Sequence, residues 1–360
     1  MNLPVILIPS LEPDQQLPPY VRSLLEHGFS RVIVVDDGSG EAYQPIFAEL
    51  DAIDGCTVLH HEVNRGKGAA LRTGCKYILE NVPECESVLT ADADGQHTLT
   101  DCKRVAEALA KDPTKLYLGS RDFTLPNIPP KSRFGNRCTS VVFKLTHGVW
   151  LPDTQTGLRA FSRDKLPFML DVPGDRYEYE MNMLIACAHH HIPIVPITIE
   201  TVYENNNEGT HFHPLRDSWR IYKVILGSFI RFAGSSLFCF VIDQLLAGLL
   251  RDNVLPGLGM AAGSLLNVNI SGYGARVVSS IINYLINRKL VFKDKGSAKR
   301  SALRYAVLSL GIITLSNLGV WLLMKLGMTG WLGWLAKIIC DLLLYFVSYR
   351  VQQQWVFAEE

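Results

Sequence analysis

Ser87-Val88-Leu89-Thr90-Ala91-Asp92-Ala93-Asp94-Gly95-Gln96-His97 is the stretch that decides the fold of this 360-residue chain. Five mostly apolar residues suited to a buried strand run straight into two carboxylates one residue apart. A strand that ends in paired acids is the layout of an open α/β sheet, where ligands gather beyond the carboxyl ends of the strands. The rest of the first 200 residues repeats that rhythm. Short apolar runs at residues 5–8, 31–36, 57–60, 87–91, 116–119 and 192–199 read as strands. Amphipathic stretches between them, such as residues 18–27, 68–80 and 100–111, read as helices. Alternation of this kind predicts a doubly wound, mainly parallel sheet covered on both faces. Pro9-Ser10, Asp36-Asp37, Asp92-Ala93-Asp94 and Gly119-Ser120-Arg121 each follow a strand directly, so four polar tips are expected on one rim.

A physically different half follows. Residues 306–324 run 19 positions without a charge, and further apolar stretches at 232–250, 270–286 and 331–349 complete four expected spans. Overall hydrophobic content is 48% and mean hydropathy +0.13, with the excess in this half. The predicted organisation is an α/β domain over residues 1–212, an interfacial helix over 213–226 and an all-α four-helix transmembrane domain over 227–360. The interfacial reading rests on Trp219, Arg220, Tyr222 and Lys223, aromatic and basic side chains just ahead of apolar sequence. Arg216, Arg220, Lys223 and Arg231, and again Arg288, Lys289, Lys293, Lys295, Lys299, Arg300 and Arg304, crowd one side of the spans. By the positive-inside rule the first domain and both termini are cytoplasmic, in a multi-pass protein of the cell's inner (plasma) membrane.

Composition excludes some functions. The formal net charge is +0 and no basic-aromatic interleaving occurs, which argues against a nucleic-acid partner. None of the eight cysteines forms a C-x-x-C, so zinc is not expected and scattered thiols suit a reducing cytosol. Leu3 to Ile8 lacks a basic flank and is too short for a signal segment; it reads as a strand.

Two carboxylates at a strand end can hold a hard divalent cation, which in turn grips a diphosphate. The plain alternative for Asp92-x-Asp94 is a solvated turn, since Asp-Gly favours loops. A second acidic tip at Asp36-Asp37 and the loop Asn64-Arg65-Gly66-Lys67-Gly68 weigh for chemistry. That loop sets a lysine and free N–H groups at a helix start, suited to phosphate, although it lacks P-loop spacing. Glu178 and Glu180 are either sugar-hydroxyl contacts or an ordinary helix face, and His189-His190-His191 reads as a solvated helix end. Asp243, Arg276, Lys337 and Asp341 lie inside apolar spans with charges summing to zero. Each costs about 2.5–3.5 kcal/mol at a bilayer centre, so pairing is expected, whether for structure or for a polar route. Residues 283–292 align with 348–357 at an offset of 65, and Arg231-Phe232-Ala233 matches Arg304-Tyr305-Ala306, which suggests two copies of a helical hairpin.

Taken together, Ile8-Pro9-Ser10, Val35-Asp36-Asp37-Gly38-Ser39, Asn64 to Gly68, Ala91 to His97, Gly119-Ser120-Arg121 and Asp153-Thr154-Gln155-Thr156-Gly157-Leu158-Arg159 resemble the glycosyltransferase family 2 pattern on a GT-A fold. More closely, they resemble the polyprenyl-phosphate glycosyltransferases, the group containing dolichyl-phosphate mannose synthase. The likeness covers residues 3–212; Ala275-Arg276-Val277, Asn283-Tyr284 and Ala336-Lys337 resemble the GtrA-like membrane domain.

The resemblance implies a metal-dependent, inverting transfer of a hexose or related sugar from a nucleoside-diphosphate sugar to polyprenyl (undecaprenyl-type) phosphate. It implies that Pro9, Leu11 and Asp37 line the base and ribose. Asp92, Asp94 and Gln96 would hold Mg²⁺ or Mn²⁺, with Ala93 and Lys67 beside the nucleotide. Arg121 and either Arg133 or Arg137 would hold the acceptor phosphate, near Asp153. Mannose synthases carry Arg and Lys after the last strand, where this chain has Thr201 and His211. That departure turns the expectation towards a UDP-sugar rather than GDP-mannose, with His211 at the diphosphate. The alternative is a lipid-linked sugar transporter, or flippase, whose first domain only senses nucleotide sugar. A processive synthase would carry Gln-x-x-Arg-Trp, and no Arg-Trp occurs. Homo-oligomerisation is left open.

Overall fold

The computed structural model describes residues 3–125, 128–200, 214–261, 264–325 and 330–358. It divides into two compact units, Met1–Ile225 and Leu226–Glu360. In the first, β1 (Val5–Ser10), β2 (Val32–Asp36), β3 (Cys56–His60), β4 (Ser87–Thr90), β5 (Leu116–Arg121), β6 (Arg159–Ser162) and β7 (Ile194–Ile199) form one sheet in the order β3-β2-β1-β4-β6-β5-β7. Strand β1 shows why the sheet is covered twice. Val5 and Leu7 enter one apolar core while Ile6 and Ile8 enter the other, so both faces must be sealed by helices. On the Ile6 side, α1 (Leu17–Glu26), α2 (Gln44–Asp51) and α4 (Leu99–Lys111) supply Leu24, Phe47 and Val105. On the Leu7 side, α3 (Lys67–Asn81), α5 (Pro130–His147), α6 (Leu166–Asp171) and α7 (Glu178–His189) supply Cys75, Phe143, Met169 and Leu184.

Neighbouring strands pair in parallel except at β6, which runs antiparallel to both β4 and β5. The sequence reading found six strands and missed this one. Its four residues are all buried and follow a motif-rich loop, so no alternation announces it. Its direction matters for the site. A strand running backwards starts where its parallel neighbours end, so Arg159 pairs with Thr90 and Leu118, and the loop before it reaches the carboxyl rim. The chain also reverses its order between β1 and β4, the switch point at which such sheets open a crevice.

The second unit is helical. Helix α8 runs Pro214–Leu249, followed by the single turn α9 (Leu255–Gly257), α10 (Leu265–Ile286), α11 (Ala298–Lys325) and α12 (Gly330–Val351). The four expected spans fall on α8, α10, α11 and α12. The expected interfacial segment and first span both fall on α8, whose Ile221 and Ile225 belong to the first unit and to its core. Among the described residues, Trp219–Gly257 and Ala298–Leu323 are long and apolar enough to cross a membrane.

The four charged side chains expected inside the spans are paired, as their cost demands. Arg276 Nη2 lies 3.2 Å from Asp243 Oδ2, and Ser279 donates to Asp243 Oδ1 at 3.0 Å. Lys337 meets Asp341 at 2.8 Å, and Ser316 donates to the same carboxylate at 2.6 Å. The 65-residue offset has a geometric counterpart. Asn287 and Gln352 each begin a π-helical turn, Asn287–Val291 and Gln352–Val356, and the Asn287 amide donates to Gln352 Oε1 at 3.0 Å. Ser235 donates to Asn287 at 2.6 Å, and Asn287 donates to Asn283 at 2.8 Å.

Candidate active site

The Asp36-Asp37 tip is rigid because its carboxylates hold the backbone around them. Asp36 accepts from the Ser39 amide and hydroxyl at 2.9 and 2.6 Å and faces His60 at 3.0 Å. Burial works against the Asp36 charge, but the Ser39 and His60 hydrogen bonds outweigh it and leave the pKa below the usual value. Asp37 reaches further along the chain. It accepts from Arg65 N at 2.9 Å and Gly66 N at 2.7 Å and pairs with His61 at 2.7 Å. The acid expected to line the nucleotide thus fixes the Asn64–Gly68 loop. Pro9 is buried in β1, opposite Val35, and Leu11 is half-buried just past the strand.

Lys67 lies within that loop as the first residue of α3, and its side chain joins the second acidic tip. Lys67 Nζ stands 2.7 Å from Asp92 Oδ1 and 3.0 Å from Glu180 Oε2. Burial disfavours this ammonium, yet Asp92 and Glu180 more than compensate and hold its pKa above the ordinary lysine range. Asp92 is engaged on its other oxygen by His97 Nε2 at 3.2 Å. Burial raises its pKa, but Lys67 and then His97 overcome that and hold the carboxyl well below its usual value. Asp94, the more exposed of the two acids, accepts from the Gln96 amide at 3.1 Å. Its pKa is raised, by desolvation first and by the neighbouring Asp92 charge second. Ala93 lies between them, half-buried.

Gly157 completes the wall. A Cβ there would stand 2.3 and 2.4 Å from the two Asp92 carboxylate oxygens. The Thr90 hydroxyl pins the Gly157 carbonyl at 2.6 Å. The same loop carries Asp153, fully buried, which takes Arg121 in a fork: Nε to Oδ2 at 2.7 Å and Nη2 to Oδ1 at 3.2 Å. The Gln155 amide donates to Asp153 at 3.0 Å, and the Arg121 guanidinium lies 5.2 Å from the Phe123 ring centre. A fully buried acid holding a partly exposed arginine in two bonds orients the cation rather than cancelling it.

The structure therefore gathers Asp37, Lys67, Asp92 and Gly157 in one chain of contacts, with Arg121 and Asp153 beside it on the β5–β6 side. Arg133 sits in the first turn of α5 and donates to the Leu125 carbonyl at 2.8 Å; Arg137 lies exposed one turn on. Glu178 is not in the cluster: it caps the approach to α7 by accepting from Asp175 N and Arg176 N. The expected contact His211 lies outside the described residues. Sequence reasoning missed His97, His61 and Gly157 as parts of the site. Only the position of Gly157 in an otherwise polar motif hinted that a side chain is unwelcome there.

An α/β sheet with acidic tips at its switch point and an arginine fork on the rim has the layout of a GT-A-type domain. Comparison with known proteins agrees. Residues 5–167 match the glycosyl transferase family 2 model, and residues 253–357 match the GtrA/DPMS transmembrane domain. An uncharacterized protein of Methanocaldococcus jannaschii is 31% identical over 202 residues, covering 55% of this chain and 81% of that relative. The UDP-N-acetylglucosamine–dolichyl-phosphate N-acetylglucosaminyltransferase of Methanococcus voltae is 29% identical over 215 residues, covering 55% and 85%. Glucosyl-3-phosphoglycerate synthase from Mycobacterium tuberculosis, solved with Mn²⁺ and UDP, aligns at a TM-score of 0.44 with 15% identity, over 63% of this chain and 79% of that one. The chain belongs to glycosyl transferase family 2 and is a glycosyltransferase whose second unit is a GtrA/DPMS transmembrane domain.

Proposed function

We propose that this enzyme transfers a sugar, a hexose or derivative, from a nucleoside-diphosphate sugar to a polyprenyl phosphate at the cytoplasmic face of the cell membrane, with Mg²⁺ or Mn²⁺ as cofactor. The observation that carries it is the Asp92-x-Asp94 pair after β4 and the Asp153-held Arg121 at the end of β5, the two strands that flank β6, in a chain that continues into a transmembrane domain. A donor that leaves as a diphosphate needs positive charge where the acids stand, and a lipid phosphate needs a cation where the arginine stands. The resemblance of the 210–212 region favours a UDP-sugar, and the dolichyl-phosphate transferase of Methanococcus voltae favours a lipid-phosphate acceptor.

The residues fit a divalent cation. Among the described residues no cluster of three or more His, Cys, Asp or Glu could cage one. Two carboxylates with Gln96 nearby are nonetheless what a hard cation uses when substrate phosphates complete its shell. When bound there, the cation would neutralise the departing diphosphate. The chain's own groups do the remainder. Asp153 orients Arg121 so that its guanidinium can bind an acceptor phosphate, which is already anionic at neutral pH and needs positioning more than deprotonation. A phosphate oxygen forms the bond to the anomeric carbon as the bond to the nucleoside diphosphate breaks; the electron pair leaves with the diphosphate and the centre inverts.

The test is release of nucleoside diphosphate from a panel of UDP- and GDP-sugars with Mn²⁺, with and without polyprenyl phosphate. Acceptor-dependent release that Asp94→Asn abolishes in a folded protein is the expected result. Release that ignores the lipid or the metal would refute the assignment, and no release from any sugar would favour a sensing first domain on a lipid-sugar transporter.

A further inference from the structure

The loop before α3 cannot move, but the side chain that leaves it can. Asp37 holds the amides of Arg65 and Gly66. A Cβ on Gly66 would lie 2.4 Å from the Asp175 carbonyl oxygen, and one on Gly68 would lie 2.4 Å from Tyr179 Cβ. The backbone at Lys67 is held between the Asp37 carboxylate and the segment leading into α7, with a long flexible chain projecting from it. Its ammonium bridges two acids from elements far apart in sequence: Asp92, which the proposed metal needs, and Glu180, which the catalytic reading leaves without a task. Glu180 is itself buried and braced. Arg159 Nε lies 4.0 Å from Glu180 Oε1, and Arg159 Nη1 donates to the Glu180 carbonyl oxygen.

An ammonium 2.7 Å from a carboxylate oxygen takes up a position on Asp92 that a cation would use and supplies part of the positive charge it would bring. We propose that Lys67 is the resident counter-ion of this site, that it yields Asp92 to an incoming divalent cation, and that Glu180 is the positioning residue that receives it. This rests on the metal-dependent reading above. Without nucleotide Lys67 already pairs with Asp92, so metal alone binds weakly. A nucleoside diphosphate brings new negative charge for the ammonium, so metal and nucleotide enter together. Glu180 keeps the displaced ammonium within reach of the diphosphate instead of releasing it to solvent. Losing Glu180 would leave Lys67 with Asp92 alone and make displacement harder.

The full-length protein in detergent is titrated with MnCl₂, free Mn²⁺ being read by electron paramagnetic resonance, alone and with UDP or GDP. Lys67→Met should tighten nucleotide-free Mn²⁺ binding about tenfold, because a competing cation is gone. Glu180→Gln should weaken it in the wild-type background and have a smaller effect in the Lys67→Met background. The double variant also removes the buried acid left unpaired by Lys67→Met, so it keeps the measurement readable if the single variant fails to fold. A merely structural pair would weaken Mn²⁺ binding in both single variants, and that result overturns the proposal. If wild type binds Mn²⁺ with nucleotide but Lys67→Met binds metal alone no better, the counter-ion role falls while metal dependence stands. If no variant binds Mn²⁺ under any condition, the metal reading falls and takes the proposal with it.

Discussion

Gly157→Ala separates the site from the fold more cleanly than removing an acid does. The added methyl would sit 2.3, 2.4 and 2.6 Å from Oδ1, Oδ2 and Cγ of Asp92. Ordinary contact begins near 3.5 Å, so something must give by about 1 Å. The glycine cannot easily retreat, because Thr90 fixes its carbonyl and Gly119 N is bonded to the adjacent Leu158 O. The Asp92 carboxylate, at the end of a rotatable side chain, must move instead, away from Lys67 and His97. Since a side-chain end yields, the stability loss should be about 1 kcal/mol, within the usual range for a single substitution. Displacing a reacting group by 1 Å costs about 100-fold, or about 2.7 kcal/mol of barrier. Acceptor-dependent nucleoside-diphosphate release and thermal unfolding, measured on the same preparation, give both numbers. Activity within a few-fold of wild type would mean that the position of Asp92 does not matter, and the reasoning fails with it.

Three further outcomes follow from the geometry. Asp153→Asn replaces a charged fork by a neutral amide and frees Arg121; acceptor kcat/KM should fall by about 10–100-fold with nucleotide binding unchanged, which steady-state kinetics against each substrate checks. Asp36→Asn should destabilise the first unit at neutral pH. The depressed pKa of Asp36 contributes stability that is present above the unfolded carboxyl value of 3.8 and lost as pH falls through the folded value, so denaturant curves of mutant and wild type should converge in acid. Asn287→Ala removes bonds to Ser235, Asn283 and Gln352 inside the helical unit. At about 0.6 kcal/mol each, it should cost about 2 kcal/mol in detergent unfolding, and Gln352→Ala somewhat less.

Much of this architecture was legible because the interactions that fix it are local. Strands β1 to β5 and β7 show as apolar runs, β1 and β2 buried throughout, and the polar tips follow from where those runs stop. The 65-residue offset found in the chain reappears as Asn287 facing Gln352. What stayed hidden depends on distance. Strand β6 is four residues long and acquires its direction only from its partners β4 and β5. Glu180 meets Lys67 across more than a hundred residues, so helical spacing around it could show a buried face but not a partner. His97 follows the acids by three residues from Asp94, yet only the turn at Gly95, with φ at +69°, brings its ring back to Asp92. Asp37 was expected to touch nucleotide, and the structure gives its carboxylate a prior engagement with the amides of the following loop.

The reversed strand also has a practical meaning. Residues 122–158 leave the sheet at Arg121 and return at Arg159, on strands that are hydrogen-bonded to each other. The excursion carries Asp153, Arg133, Arg137 and Gly157, while Asp37, Lys67 and Asp92 belong to the scaffold outside it. On the proposed assignment of the acceptor arginines, grafting this segment between related enzymes, with its core contact Phe143 matched, is expected to carry acceptor preference with it while the donor half keeps its own.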